Sequence, residues 1–236
     1  MYNLKEKAII LLSLFDFMTS KKMEEVLALY DEPEDVLKEI IPEVENLVGK
    51  ENYKKMLEYF DKNLLPSYID ALEKDNVKCI TIYSENYPKK LLDLDLPPYI
   101  LFCKGDISLL NTRCFGIVGS RVPTAYGRTV TQSFARGLAE NGLTIVSGLA
   151  MGVDKIAHET TLDVGGKTIA VLGGGFKHIY PAMNENLANS IIEKGLLVSE
   201  YRPSVRPTAY SFPVRNRIIA GLSDGILITE AGEKSG

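Results

Sequence analysis

Between Arg113 and Thr229 the chain alternates short apolar runs with helical stretches, and this alternation limits the fold more than any other feature. The apolar runs are Cys114–Val118, Leu143–Ser147, Thr168–Leu172, Leu196–Ser199 and Gly225–Thr229. The stretches between them fit helices at Thr129–Glu140, Lys155–Leu162, Glu185–Glu193 and Arg215–Gly221. Strands of this kind are buried on both faces and are joined by right-handed crossovers. The expected fold is α/β, a Rossmann-like, mostly parallel sheet with helices on both faces.

Four of these strands run into glycine-bearing turns: Gly116–Arg121, Ser147–Gly152, Gly173–Phe176 and Ala231–Gly236. In a parallel α/β sheet such turns share the carboxyl edge, where ligands bind. Glycine lets backbone N–H groups approach an anion, and helix N-termini add a favourable partial charge. Arginine and lysine interspersed among the turns point to an anion-binding edge.

The charge distribution agrees. The net charge is −4, yet residues 1–75 hold 10 lysines against 17 acids, while residues 76–236 hold 17 basic residues against 14 acids. Every arginine lies at or after Arg113. Arginine suits forked phosphate contacts and stacking on flat rings, so an anionic partner is expected on the second part.

Residues 1–75 read as a small helical domain, with helices expected over Leu4–Met18, Lys21–Tyr30, from Pro33 to Pro42, Asn52–Phe60 and Tyr68–Lys74. A SAM-like or helix-hairpin-helix-like bundle with a docking role is the expectation. Residues 76–236 form the second domain, entered through a strand at Cys79–Tyr83 and a turn-rich approach ending at Phe102. The chain stops just after its fifth αβ strand, so the sheet is expected to be cut short at its C-terminus. Three cysteines without C-x-x-C spacing argue for reduced thiols in a cytoplasm and against a zinc site. The apolar run Ala8–Phe15 meets Asp16 at once and reads as a buried helix, with no membrane association.

Catalytic and cofactor signatures are lacking. The first loop is G-x-x-G-S-R rather than G-x-G-x-x-G, the second strand ends in Ser147-Gly148, and no Walker sequence occurs. His158 sits inside an expected helix as a structural histidine, and Asp154 and Glu230 stand where capping or loop bracing is expected. No cofactor, metal or catalytic residue is assigned, and the chemistry points to binding.

Phe115–Arg121, Ile145–Ala150 with Gly152–Asp154 and Ala157-His158, Thr168–Gly173, Tyr180-Pro181 and Phe212–Ser223 together resemble the DNA processing protein A (DprA, or Smf) family in order and spacing. The resemblance spans roughly residues 77–236 and is weak over 1–75. It implies a protein that binds and protects incoming single-stranded DNA in natural transformation, loads the RecA recombinase onto it, and works as a homodimer. Carried over by motif, the family's G-S-R arginine falls on Arg121, its glycine turn on Gly173–Phe176 and its F-P-x-R-N-R run on Phe212–Arg217. Ala182 stands where many members have a lysine or an acid. The expected DNA-binding set is Gly119, Ser120, Arg121, Gly174, Phe176, Lys177, Arg215 and Arg217.

Physical chemistry divides this set. Arg121, between a strand end and a helix start, is favoured for a phosphate. Phe176 either folds into the core or offers a face on which a base stacks. Arg215 and Arg217 are two apart and cannot face the same way from a helix, so at least one braces a loop or carboxylate. Two other readings stay open: a nucleotide-processing enzyme of the lysine-decarboxylase-like phosphoribohydrolase group, although its P-G-G-x-G-T-x-x-E run is absent, and an interaction scaffold whose basic edge holds an acidic protein tail.

Overall fold

The computed structural model describes residues 2–232; the part of the fourth glycine turn beyond Gly232 lies outside them. The chain divides into two compact units: Met1–Tyr87 with Asp95–Leu101, and Pro88–Leu94 with Phe102–Gly236.

The first unit holds α1 (Leu4–Leu12), α2 (Ser20–Leu27), α3 (Val44–Val48), α4 (Lys50–Asp61), α5 (Leu65–Lys74) and β1 (Lys78–Thr81). Asn3 and Glu6 form a reciprocal capping box that starts α1. The apolar run of α1 is buried, with Ala8, Ile9, Ile10 and Leu12 fully inside. The helix expected to reach Met18 stops at Leu12, where the Ser13 hydroxyl turns back to the Ile10 carbonyl at 2.7 Å. The stretch from Pro33 tightens into a 3-10 turn, Pro33–Leu37, in which Asp35 accepts from the Glu32 amide.

Strand β2 (Ile100–Gly105) leads into the second unit, which continues with β3 (Cys114–Val118), α6 (Ala125–Glu140), β4 (Thr144–Ser147), α7 (Val153–Asp163), β5 (Thr168–Leu172), α8 (Glu185–Lys194), β6 (Leu196–Ser199), α9 (Ser211–Leu222) and β7 (Ile226–Ile228). Their order across the sheet is β2-β6-β5-β4-β3-β7. The pairs β3·β4, β4·β5, β5·β6 and β3·β7 are parallel, and β2 lies antiparallel on β6. The sheet is therefore mostly parallel, as expected. Strands β4, β5 and β6 are buried along their whole length, which accounts for their unbroken apolar runs.

The order fixes where a ligand crevice lies. From β3 the chain steps through β4 and β5 to β6 in one direction, then α9 carries it back past β3 to β7. Right-handed crossovers put α6, α7 and α8 on one face and α9 on the other. The direction of winding reverses between β3 and β7, and in such sheets the carboxyl edge at the reversal is the ligand crevice. Among the described residues no helix is long and apolar enough to cross a membrane.

Candidate nucleic-acid interface

The turn after β3 stands at that reversal. Its main chain is largely engaged by the protein. The Ser120 amide donates to the Glu230 carbonyl at 2.7 Å, the Ser120 carbonyl accepts from the Val153 amide at 3.0 Å, and the Ser120 hydroxyl accepts from the Val122 amide at 3.1 Å. A Cβ on Gly119 would come within 2.7 Å of the Glu230 carbonyl and 2.9 Å of the Val153 side chain. Close packing against β7 and α7 thus already explains this glycine. Arg121 differs from its neighbours: its side chain is exposed and makes no hydrogen bond or ion pair with another described residue.

In the turn after β4, the chain supplies its own anion. One oxygen of Asp154, on the first turn of α7, accepts from the amides of Gly148 at 3.1 Å and Ala150 at 3.3 Å. Burial pushes the Asp154 carboxyl above the usual carboxylate range, and the neighbouring Arg215 guanidinium opposes that shift. Arg215 itself is only 5% exposed. Its Nη1 donates to the Gly148 carbonyl at 2.8 Å and to the Val171 carbonyl, joining the ends of β4 and β5. Arg215, expected to contact a strand, is thus buried with its Nη1 held by main-chain carbonyls inside the protein.

His158, one helical turn beyond Asp154, is fully buried. Its Nδ1 lies 2.7 Å from the Thr168 hydroxyl, which itself donates to the Ile145 carbonyl. Nδ1 must therefore carry the proton that it shares with Thr168, leaving Nε2 as an acceptor. Burial, followed by the charge of Arg215, brings the imidazole down to about 3. His158 is neutral and structural, as read from the sequence.

The third turn, Gly173–Gly175, is roofed by the segment between β6 and α9. A Cβ on Gly174 would press on Pro207 at 2.7 Å, and one on Gly175 would collide with the Arg202 and Pro203 carbonyls. The Gly175 amide donates to Val205 at 2.8 Å and the Lys177 amide to Pro203 at 2.9 Å. Gly174, expected to approach a phosphate, is buried, and its missing side chain makes room for Pro207. Phe176 takes the core option, packing on the cluster that includes Leu149, Leu172, Leu187 and Ile191, with the Lys104 ammonium 5.9 Å from its ring centre. The Lys177 side chain is exposed.

Arg217 turns away from Arg215 and binds Glu200 at 2.6 Å, with side chains 22% and 13% exposed. The pair braces the chain leaving β6, so Arg217, expected to contact a strand, has its charge matched within the protein. Of the eight expected residues, Arg121 and Lys177 are exposed, and Ser120 is half-buried with its hydroxyl in use.

Other groups at this edge were not among the expected contacts. Arg206 is exposed on the loop that roofs Gly174, with no hydrogen bond or ion pair to another described residue. Tyr210 is 78% and Tyr180 59% exposed, the latter tilted against Phe212 at 5.5 Å. The prolines around Arg206 could have flagged a surface turn. Tyr180-Pro181 stood out in the sequence as a motif and reads there as a rigid turn, whereas nothing local flagged Tyr210. Adjacent strands lie about 4.8 Å apart, so these groups spread over roughly 15 Å of edge.

Comparison with known proteins supplies the context. The family model for DNA recombination-mediator protein A matches residues 78–236. The chain is 43% identical to DNA processing protein DprA of Bacillus subtilis over 173 residues, covering 73% of this chain and 58% of that one. It is 43% identical to protein Smf of Escherichia coli over 178 residues, covering 75% and 48%. The chain thus spans about half the length of these curated relatives. Among solved structures, DprA from Streptococcus pneumoniae aligns over 99% of this chain and 80% of its own, at 33% identity and a TM-score of 0.78. DNA processing protein A from Helicobacter pylori, a structure that describes a single-stranded-DNA-binding mode, aligns over 67% and 71% at 40% identity and a TM-score of 0.62. The chain belongs to the DNA recombination-mediator protein A family.

Proposed function

We propose that the carboxyl edge of this sheet binds single-stranded DNA, with Arg121 as its principal phosphate contact. The observation that carries the reading is the position of Arg121. It stands at the reversal of the sheet, exposed and without a partner among the described residues, while the neighbouring polar groups are held by the protein. A free guanidinium there can hold a phosphate with two parallel bonds. Exposed Lys177 and Arg206 extend the cationic path, and the rings of Tyr180 and Tyr210 offer faces for bases. The Helicobacter pylori relative supports the choice of ligand.

The wider role that follows is a binding protein rather than an enzyme. It protects single-stranded DNA entering the cytoplasm during natural transformation, loads RecA onto it and acts as a homodimer. The test of binding is a paired salt titration with single-stranded and blunt duplex oligonucleotides. Three cations on the path give a slope of log K against log[salt] near −2 for single strands. Equal or tighter duplex binding, or a flat salt response, contradicts the reading. The RecA role is tested by filament growth on strands coated with single-strand-binding protein; no acceleration on adding this chain contradicts it.

A further inference from the structure

Leu149 is the one described non-glycine residue of the second unit with a positive φ. It is fully buried and holds a φ of +59°, a left-handed conformation that leucine rarely adopts. Such a conformation persists only where its surroundings over-determine it. Three side chains from three elements do so. Asp154 of α7 accepts from the Gly148 and Ala150 amides. Arg215 of α9 donates to the Gly148 carbonyl. Asn184, fully buried beside the start of α8, donates from Nδ2 to the carbonyls of Leu149 at 2.9 Å and Ala150 at 3.3 Å.

The held turn bears on the exposed arginine through the main chain. Gly152, three residues beyond Leu149, has a φ of +75°, and a Cβ there would collide with the carbonyl of Ser120 and lie within 2.5 Å of that of Arg121. Val153 donates its amide to Ser120 at 3.0 Å. The backbone that presents Arg121 thus rests on the backbone that Asp154, Arg215 and Asn184 grip. A side chain that begins on a fixed backbone loses less freedom when it takes a phosphate, which is how a rigid support raises affinity without touching the ligand.

We propose that Asp154, Arg215 and Asn184 are positioning residues for strand binding, clasping the Leu149 turn so that it holds Arg121 at the reversal of the sheet. This rests on the reading of Arg121 as a phosphate contact. It assigns the F-P-x-R-N-R arginine Arg215 to support instead of contact, and adds Asn184, which no sequence motif marked.

The test is a double-mutant cycle between Asn184→Ala and Arg121→Ala, read as single-stranded oligonucleotide affinity and its salt slope at a temperature where each variant is folded. Asn184→Ala is expected to weaken binding about three- to tenfold, the loss that follows one or two net hydrogen bonds. It is also expected to make the salt slope shallower, and to add little in the Arg121→Ala background. A merely structural asparagine would leave the slope unchanged, and its effect would add to that of Arg121→Ala; either result overturns the proposal. Should Asn184→Ala not fold, Arg215→Lys serves in the same cycle. It keeps a positive charge near Asp154 while withdrawing the donor that Nη1 sets between the Gly148 and Val171 carbonyls, and the same coupling and slope are expected. If Arg121→Ala binds like the parent, the site reading fails and the positioning role with it. If Arg121→Ala is weakened but Asn184→Ala and Arg215→Lys are not, the positioning role alone fails.

Discussion

The carboxylate of Glu230 closes the N-terminus of α6 by accepting from Thr124, 3.1 Å from the amide to each oxygen and 2.7 Å from the hydroxyl. A helix N-terminus favours an anion, and here the chain supplies one from the end of β7. Gly127 makes the approach possible, since a Cβ there would strike the same carboxylate. Glu230→Ala should therefore lower stability by about 1–2 kcal/mol, the usual cost of a lost cap and dipole partner. It should also tighten single-stranded DNA a few-fold at low salt, because a carboxylate leaves the neighbourhood of Arg121. Thermal melts and anisotropy titrations check both halves; unchanged stability would mean that the contact is idle.

Arg217→Ala should show the opposite balance. Its bond to Glu200 is mostly shielded from water, and removing the guanidinium strips a partner from a carboxylate that is 13% exposed. Breaking a fully buried pair costs about 3–5 kcal/mol, and the partial exposure of this one lowers the expectation to about 2. Affinity per folded molecule should change less than about threefold, since the side chain supports the loop after β6 and its charge is already matched. A large loss of affinity with an unchanged melting temperature would return Arg217 to the strand.

His158 sets a pH dependence whose sign follows from burial. Unfolded, the imidazole titrates near 6.5; in the fold it is held at about 3. Between those values the unfolded chain binds the extra proton, so stability falls as pH drops through the window, and this contribution is complete above 6.5. The limiting slope is about 1.4 kcal/mol per pH unit. Asp154, whose carboxyl burial raises, acts in the opposite direction, its contribution falling as pH rises through its folded value. The discriminating quantity is therefore the stability difference between the parent and His158→Asn. It should move in favour of the parent from pH 4 to 6.5 and stay level above; a flat difference across the range would rule out a neutral buried imidazole.

The fold was legible because strand burial leaves a direct trace. The runs Cys114–Val118, Thr168–Leu172 and Leu196–Ser199 coincide with β3, β5 and β6. Helix starts were placed late: Thr124 caps α6 and Gly152 precedes α7, both ahead of the first strongly periodic residues. The antiparallel pairing of β2 had no signal, because orientation depends on which edge a strand joins. At the site, the place of Arg121 in the fold was readable, because a strand end there meets a helix start. Gly174 and Phe176 were not, since a glycine that admits Pro207 looks in sequence like one that admits a phosphate. The spacing of Arg215 and Arg217 showed that they diverge, but only tertiary packing sent both to the protein's own oxygens.

The most direct measurement is the affinity of Arg121→Ala for single-stranded oligonucleotides across a salt series, beside its thermal unfolding. The side chain is exposed and buries little, so the melting temperature should match that of the parent. Losing a charge-assisted phosphate contact should cost roughly 1.5–3 kcal/mol, about a ten- to hundredfold weakening, nearly uniform across sequences. The salt slope should become shallower by a little under one unit. Arg121→Lys should recover only part of the loss, because an ammonium cannot reproduce the fork. Parent-like affinity and slope in a folded Arg121→Ala would contradict the account and move the strand to another surface of this chain.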